Sequence, residues 1–293
     1  MIKSHLVRNF ARTLWYFAST RAVEVLALQA SPILGSFLGG YSVERHGVVP
    51  LVLLLLGSCA LTAHIFVFND WVGCDGDMRD PLRAPLVFTR HGIGRRDVAW
   101  LSVALLIAAA AAFAADGLRT LVIGSAIAAL GFVYSASPVL GKGTPVAGSL
   151  VHLVGGTLHF LLGYTLSHAC DATGVWIGLF FGLVFAAGHL NQEVRDYDGD
   201  LLNGIRTNAV AFGRRHTFLA SLFTFSAAYA MLTVLAVLGT LPRLLLWSPL
   251  AWLLHVAWAA QALRRGLDFQ VAVWMQRRYR WLFALIGIVM LAG

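Results

Sequence analysis

Between Asn191 and Thr207 the chain reads Asn-Gln-Glu-Val-Arg-Asp-Tyr-Asp-Gly-Asp-Leu-Leu-Asn-Gly-Ile-Arg-Thr, with four carboxylates in the eight residues 193–200. The stretch follows an apolar run from Val175 to Ala187. If that run is a helix and continues, His189, Glu193, Asp196 and Asp200 recur at i+3 and i+4 and share one face. Carboxylates crowded beside hydrocarbon repel one another unless a cation sits among them. Hard oxygen ligands of this kind suit Mg²⁺, above all when it arrives with a phosphorylated substrate. A solvated acidic cap on a membrane helix is the alternative reading.

A second acidic stretch answers the first. It runs Asn69-Asp70-Trp-Val-Gly-Cys-Asp75-Gly-Asp77-Met-Arg-Asp80-Pro-Leu-Arg83-Ala-Pro85-Leu86. The windows 70–80 and 193–200 together hold eight of the chain's 14 carboxylates. Each could hold a Mg²⁺, and two such ions could grip a diphosphate between them. Cations near these stretches, Arg83, Lys142 and Arg195, are placed to neutralise a phosphate leaving group. Their other reading is ordinary topology charge, although Lys142 is the only basic residue of its loop. His64, His152, His159 and His189 lie in apolar spans, where ionisable residues face the bundle interior.

The elements that must carry these residues are membrane spans. Charged residues are 12% of the 293 and apolar residues 58%, with a mean hydropathy of +0.74. A soluble domain carries about a quarter charged residues. The net charge of +8 falls in the gaps between apolar runs. It reads as a topology signal and not as a nucleic-acid surface. Cys59, Cys74 and Cys170 have neither metal-ligand spacing nor a disulfide framework. No cleavable signal is expected at the amino terminus, where Lys3, Arg8 and Arg12 interrupt the apolar residues.

Residues 1–20 place Val7, Phe10, Leu14 and Phe17 on one stripe, which predicts an interfacial amphipathic segment. Spans are expected at about 22–41, 48–69, 98–115, 119–136, 146–166, 173–190, 217–240 and 244–263. The run Trp281–Gly293 is either a short ninth helix or the end of one that starts earlier, with Arg277, Arg278 and Arg280 at the interface. The expectation is therefore an all-α, polytopic membrane bundle of about nine transmembrane helices, forming a single domain over 1–293. With the amino terminus inside, all of the 22 basic residues except Arg45, Arg119 and Arg243 fall in cytoplasmic segments. The positive-inside rule then puts both acidic loops in the cytoplasm, with a bacterial inner membrane the expected setting. Spans two and six each end in an asparagine and a polar loop, which suggests parallel halves at about 22–140 and 146–265. Gly35, Gly39-Gly40 and Gly155-Gly156 read as close helix packing, since no strand precedes them.

These residues resemble the UbiA superfamily of intramembrane prenyltransferases. Its first motif, Asn-Asp-x-x-Asp-x-x-x-Asp with a basic segment after it, is similar to Asn69, Asp70, Asp77 and Arg83-Ala-Pro85-Leu86, with Gly73 in place of the middle aspartate. Its second motif is similar to Arg195-Asp196-Tyr197-Asp198-Gly199-Asp200 followed by Gly204, Thr207 and Gly213. Tyr134-Ser135, Pro138 and Lys142 look like the family's segment after the fourth helix. The resemblance implies Mg²⁺-dependent transfer of a prenyl group from a prenyl diphosphate to an aromatic or other lipophilic acceptor within the membrane. It implies metal ligation by Asp70, Asp77, Asp196 and Asp200. Glu193, on the same helical face, is a further expected ligand, and so is Asp75, which a helix loosened by Gly73 and Gly76 would let swing into the vacated place, with Asp80 as the other candidate. Diphosphate contacts are expected from Asn69, Arg83, Lys142, Asn191 and Arg195. Asp70, Asp77, Asp196, Asp200 and Lys142 would carry the catalysis. A membrane terpene cyclase and a phosphoribose transferase are variants within the superfamily. A transporter is the rival from another class, but its coupling carboxylates would sit at mid-membrane.

Overall fold

The computed structural model describes residues 2–292, with side chains from Arg8 onward, so Lys3, Val7 and Gly293 lie outside the residues described at that level. Among the described residues the chain is helical, with no strand. Its helices are α1 (Ile2–Leu28), α2 (Ala30–Leu38), α3 (Val43–His46), α4 (Val49–Asp77), α5 (Arg95–Asp116), α6 (Leu118–Ala136) and α7 (Ala147–Tyr164). They continue as α8 (Ala172–Leu202), α9 (Asn208–Phe212), α10 (Arg214–Val237), α11 (Ser248–Arg265) and α12 (Phe269–Met290).

Six stretches are long and apolar enough to cross a membrane: α4, α5, α6, α8, α10 and the run Arg243–Arg265 that ends in α11. The expected count of nine is not reached on that measure. The long helices that fall short are α1, with its charges, α7, with His152 and His159, and α12, with Arg277, Arg278 and Arg280. The last helix does start early, at Phe269, and Arg278 stacks 3.9 Å from the Trp274 ring centroid.

The expected division between an interfacial segment 1–20 and a span at 22–41 does not appear. One helix runs to Leu28, and the break comes at Gln29. Pro32 explains it: proline has no N–H to give to the Leu28 carbonyl, and its ring collides with that carbonyl. Of the predicted stripe, Phe10 and Leu14 are exposed, whereas Phe17 is buried against Phe88.

α8 is the central element, packed against α7, α10 and α12. Absent side chains allow the close approach. A Cβ at Gly182 would lie 2.4 Å from the Leu153 carbonyl oxygen, and one at Gly163 would lie 1.8 Å from that of Pro32. At an α-helical rise of about 1.5 Å per residue, α4 and α8 are ~43 and ~46 Å long. The hydrocarbon core is only about 30 Å thick, so their polar carboxyl-terminal turns project beyond it, side by side.

Candidate active site

The two projecting turns face one cavity of about 360 Å³. α8 is unbroken through Leu202, and His189, Glu193, Asp196 and Asp200 all line the cavity from the one face that their spacing predicted. α4 brings Asn69, Asp70 and Asp77 to the opposite wall. Between them lies the segment 78–94, whose short 3-10 turns at Ala84–Leu86 and Phe88–His91 are anchored by the buried Phe88, Val87 and Ile93. That anchoring holds Arg83 over the cavity mouth.

Arg83 joins the two acidic clusters. Its guanidinium donates to Asp77 at 3.1 Å and contacts Asp196 at 2.6 Å, with Asp80 at 3.8 Å. Burial alone would lower the Arg83 pKa, but Asp196 and Asp77 hold it above its ordinary value. Arg195 grips Asp196 through two bonds of 2.7 and 2.8 Å and also reaches Gln276. Arg21 forms a two-point pair with Asp70, at 3.0 and 2.5 Å. Asp200 makes no ion pair among the described residues.

Lys142 arrives from the loop after α6, pinned by its backbone N–H to the Tyr134 carbonyl at 2.9 Å. Its Nζ occupies the space beside Gly73. A Cβ on Gly73 would lie 3.4 Å from Asp77 Oδ2, 3.8 Å from Lys142 Nζ and 4.0 Å from Asn69 Oδ1. The face between Asn69 and Asp77 is thus left open at Gly73, and an ammonium fills the gap.

Two expected residues are not brought to the cavity. Asp75 was to swing into the place of the missing aspartate on a turn loosened by Gly73 and Gly76. Instead α4 stays helical through Asp77, which leaves Asp75 71% exposed and paired with Arg95 at 2.9 Å. Asn191 is 1% exposed and does not line the cavity, because it lies on the packed side of α8. Glu193 does line it, but its Oε1 accepts from Asn208 at 3.2 Å, and the residue is only 5% exposed. This partnership sets it apart from the Asp196–Asp200 pair.

Reading the sequence missed Arg21 and underweighted Asp80. Arg21 looked like one more topology charge in an amino-terminal helix, and only the fold lays it against Asp70. Asp80 packs on Gly199, where a Cβ would lie 2.3 Å from its Oδ2. The signal that could have found it is that glycine within the second acidic run.

Among the described residues no three metal-ligating side chains converge, since arginines hold Asp70, Asp77 and Asp196. The donor set nonetheless fits a hard divalent cation. Asn69, Asp70 and Asp77 face Asp196 and Asp200 across one cavity, all with oxygen ligands, and positive charge already stands where ions would be needed.

Residues 33–290 match the model of the UbiA prenyltransferase family. The chain belongs to that family, and with its six long apolar helices it is an integral membrane protein. Among solved structures, a UbiA homolog from Archaeoglobus fulgidus bound to GPP and Mg²⁺ is similar at 18% identity, over 98% of this chain and 99% of that one, with a TM-score of 0.70. The apo UbiA homolog from Aeropyrum pernix K1 is 17% identical over 90% and 96%, with a TM-score of 0.72. A digeranylgeranylglyceryl phosphate synthase is 15% identical over 96% and 98%, with a TM-score of 0.71. At these identities the likeness is one of fold. No curated protein matches the sequence.

Proposed function

We propose that this protein transfers a prenyl group from a Mg²⁺-bound prenyl diphosphate to a lipophilic acceptor inside the membrane. The observation that carries this is a cavity walled by both acidic clusters, with Arg21, Arg83 and Lys142 among them, at the ends of apolar helices. Structures of the Archaeoglobus fulgidus homolog with GPP or DMAPP and Mg²⁺ support the same pairing of ligand and metal.

Asp70, Asp77, Asp196 and Asp200, with Asn69, are the residues that would hold the ions. When bound, Mg²⁺ supplies positive charge to the diphosphate oxygens as the allylic C–O bond breaks. Arg83 and Lys142, both facing the cavity, add fixed positive charge for the departing diphosphate, and Arg21 and Arg195 orient the carboxylates. The prenyl tail leaves the mouth along the apolar wall of Phe17, Phe66, Val87 and Phe88. Aromatic faces there shelter positive charge on the allylic carbon. The acidic loops lie on the cytoplasmic side, because the helix ends at the site carry the basic residues and Arg45, Arg119 and Arg243 sit at the far ends.

The test is incubation of purified protein with geranyl diphosphate, with and without Mg²⁺ and a panel of phenolic acceptors. Binding of the diphosphate that is abolished by EDTA, with release that requires an acceptor, is the expected result. Release with a cyclic hydrocarbon as product would replace transfer with cyclisation. No binding at all would sink the reading and leave a transport role.

A further inference from the structure

Charge is shared unevenly along the chain. After Asp200 the only side-chain carboxylate is Asp268, and it caps α12, accepting from the Val271 N–H at 2.8 Å. Five arginines flank it in sequence: Arg264, Arg265, Arg277, Arg278 and Arg280. All but the half-buried Arg278 are exposed. None of the five makes an ion pair among the described residues, and none gives a side-chain hydrogen bond to a protein acceptor there. Cations on the flank of a membrane helix are costly unless something neutralises them.

Indoles hold two of the five in place. The Arg278 guanidinium carbon stands 3.9 Å from the centroid of the Trp274 ring and 5.8 Å from that of Trp258. Arg265 lies over the same Trp274 ring, at 5.0 Å. A guanidinium held by a ring keeps its N–H fork for an oxyanion, and the fork matches the geometry of a phosphate. Two such groups share one indole here, with their donors unused by the protein.

What lies below the arginines decides which anion fits. α11 and α12 pack together and are joined only by residues 266–268, so they run antiparallel. On α12, Trp274, Arg278, Trp281 and Leu285 recur at i+4 and i+3 and share a face. On α11, Leu250, Leu254, Trp258 and Arg265 do the same. Trp281, Leu285, Leu250 and Leu254 are all exposed. The outer face of the pair therefore carries guanidinium groups towards the connection and bare apolar side chains beneath them. Arg278 lies ~14 Å along α12 from Phe269, which lines the active-site cavity, so this charge sits on the side of the bundle and not in a loop. A free phosphate would leave the apolar strip uncovered, and an acidic soluble protein would not reach between helix and lipid. A phospholipid covers both parts.

We propose that the outer face of α11 and α12 seats an anionic phospholipid of the leaflet on the active-site side, its phosphate held by Arg265 and Arg278 and its chains laid along Trp281, Leu285, Leu250 and Leu254. Basic pockets between membrane helices take headgroups of this kind. The other side of α12 carries Gln276, which accepts from Arg195 at 3.2 Å. The lipid thus braces the helix that helps to hold the Arg195–Asp196 pair. This assignment rests on the membrane class of the chain and is independent of the reaction it performs.

The experiment is native mass spectrometry of the full chain in detergent, titrated with dioleoylphosphatidylglycerol or dioleoylphosphatidylcholine, which share their tails and differ in net charge. Wild-type protein should bind one phosphatidylglycerol at least about tenfold tighter, since each arginine beside an anionic lipid contributes about a fivefold factor. Arg265→Gln, a change at an exposed side chain, should cut the preference by about that factor. Arg265→Gln with Arg278→Gln should bring it to within about twofold. The control pair Arg119→Gln with Arg243→Gln removes the same charge from the opposite end of the bundle and should keep the preference. Glycerol 1-phosphate, a headgroup without tails, should not displace the bound lipid at equal concentration. Equal binding of the two lipids by wild-type protein overturns the seat, and so does a control pair that loses as much as the Arg265–Arg278 pair. Displacement by glycerol 1-phosphate would replace the lipid with a free phosphate ester and overturn the assignment of the apolar strip.

Discussion

At the scale of single residues, the charges of the site are held in a poised balance. Each of Asp70, Asp77 and Asp196 is clamped by an arginine, while Asp200 and Lys142 face the cavity without an ion pair among the described residues. Asp196→Asn and Asp200→Asn are expected to abolish Mg²⁺-dependent turnover while leaving the protein folded, measured as prenylated product at saturating Mg²⁺ and as an unchanged elution profile. Near-normal activity in both would remove them from the metal site. Lys142→Ala should weaken geranyl diphosphate about ten- to a hundredfold, the worth of a charged hydrogen bond, and geraniol hardly at all. Equal losses for the two ligands would return Lys142 to a topology charge. Asp75→Asn should turn over within about twofold of wild type, because its carboxylate is solvated beside Arg95 and outside the cavity.

At the scale of elements, unbroken helices and missing side chains do the positioning. α4 carries Gly73 and Gly76 in its last turns and still remains helical. A glycine costs about 1 kcal/mol relative to alanine in a helix interior, and packing against α5 and the Asn203 bond to the Gly76 carbonyl at 3.1 Å outweigh it. That survival keeps Asp70 and Asp77 on one face and Asp75 on another. Close helix approach makes its own prediction. Gly163→Ala should lower stability by about 1–3 kcal/mol, since its Cβ would overlap the Pro32 carbonyl, whereas Gly155→Ala, with nothing within 4 Å, should be neutral or slightly stabilising. Thermal unfolding of the two variants in the same detergent decides it, and equal midpoints would contradict the packing account.

At the scale of the whole molecule, helix direction and charge agree. The end of the bundle that bears the acidic turns also bears Arg79, Arg83, Arg90, Lys142 and Arg206, and the opposite end bears Arg45, Arg119 and Arg243. Cys170, in the connection from α7 to α8, is exposed at that opposite end, whereas Cys74 is buried. A membrane-impermeant maleimide should therefore label Cys170 in intact cells. A cysteine placed at Arg206 should react only after the membrane is opened. The reverse pattern would invert the proposed orientation.

The sequence by itself determined the membrane class, the helical fold and the two acidic clusters, because hydropathy and i+3/i+4 spacing are local properties of the chain. It also showed that His189, Glu193, Asp196 and Asp200 share a face, since any continuous helix obliges them to. Only the tertiary structure decided which charges meet. Arg21 and Asp70 are 49 residues apart, and Arg83 and Asp196 more than a hundred, so no spacing could pair them. The exclusion of Asp75 and Asn191 was likewise beyond sequence, because it turns on which side of α4 and α8 is packed and not on the residues' types. The break at Gln29 could have been read from Pro32. The filling of the Gly73 gap by Lys142 could not, for it depends on where a distant loop comes to rest against the end of α4.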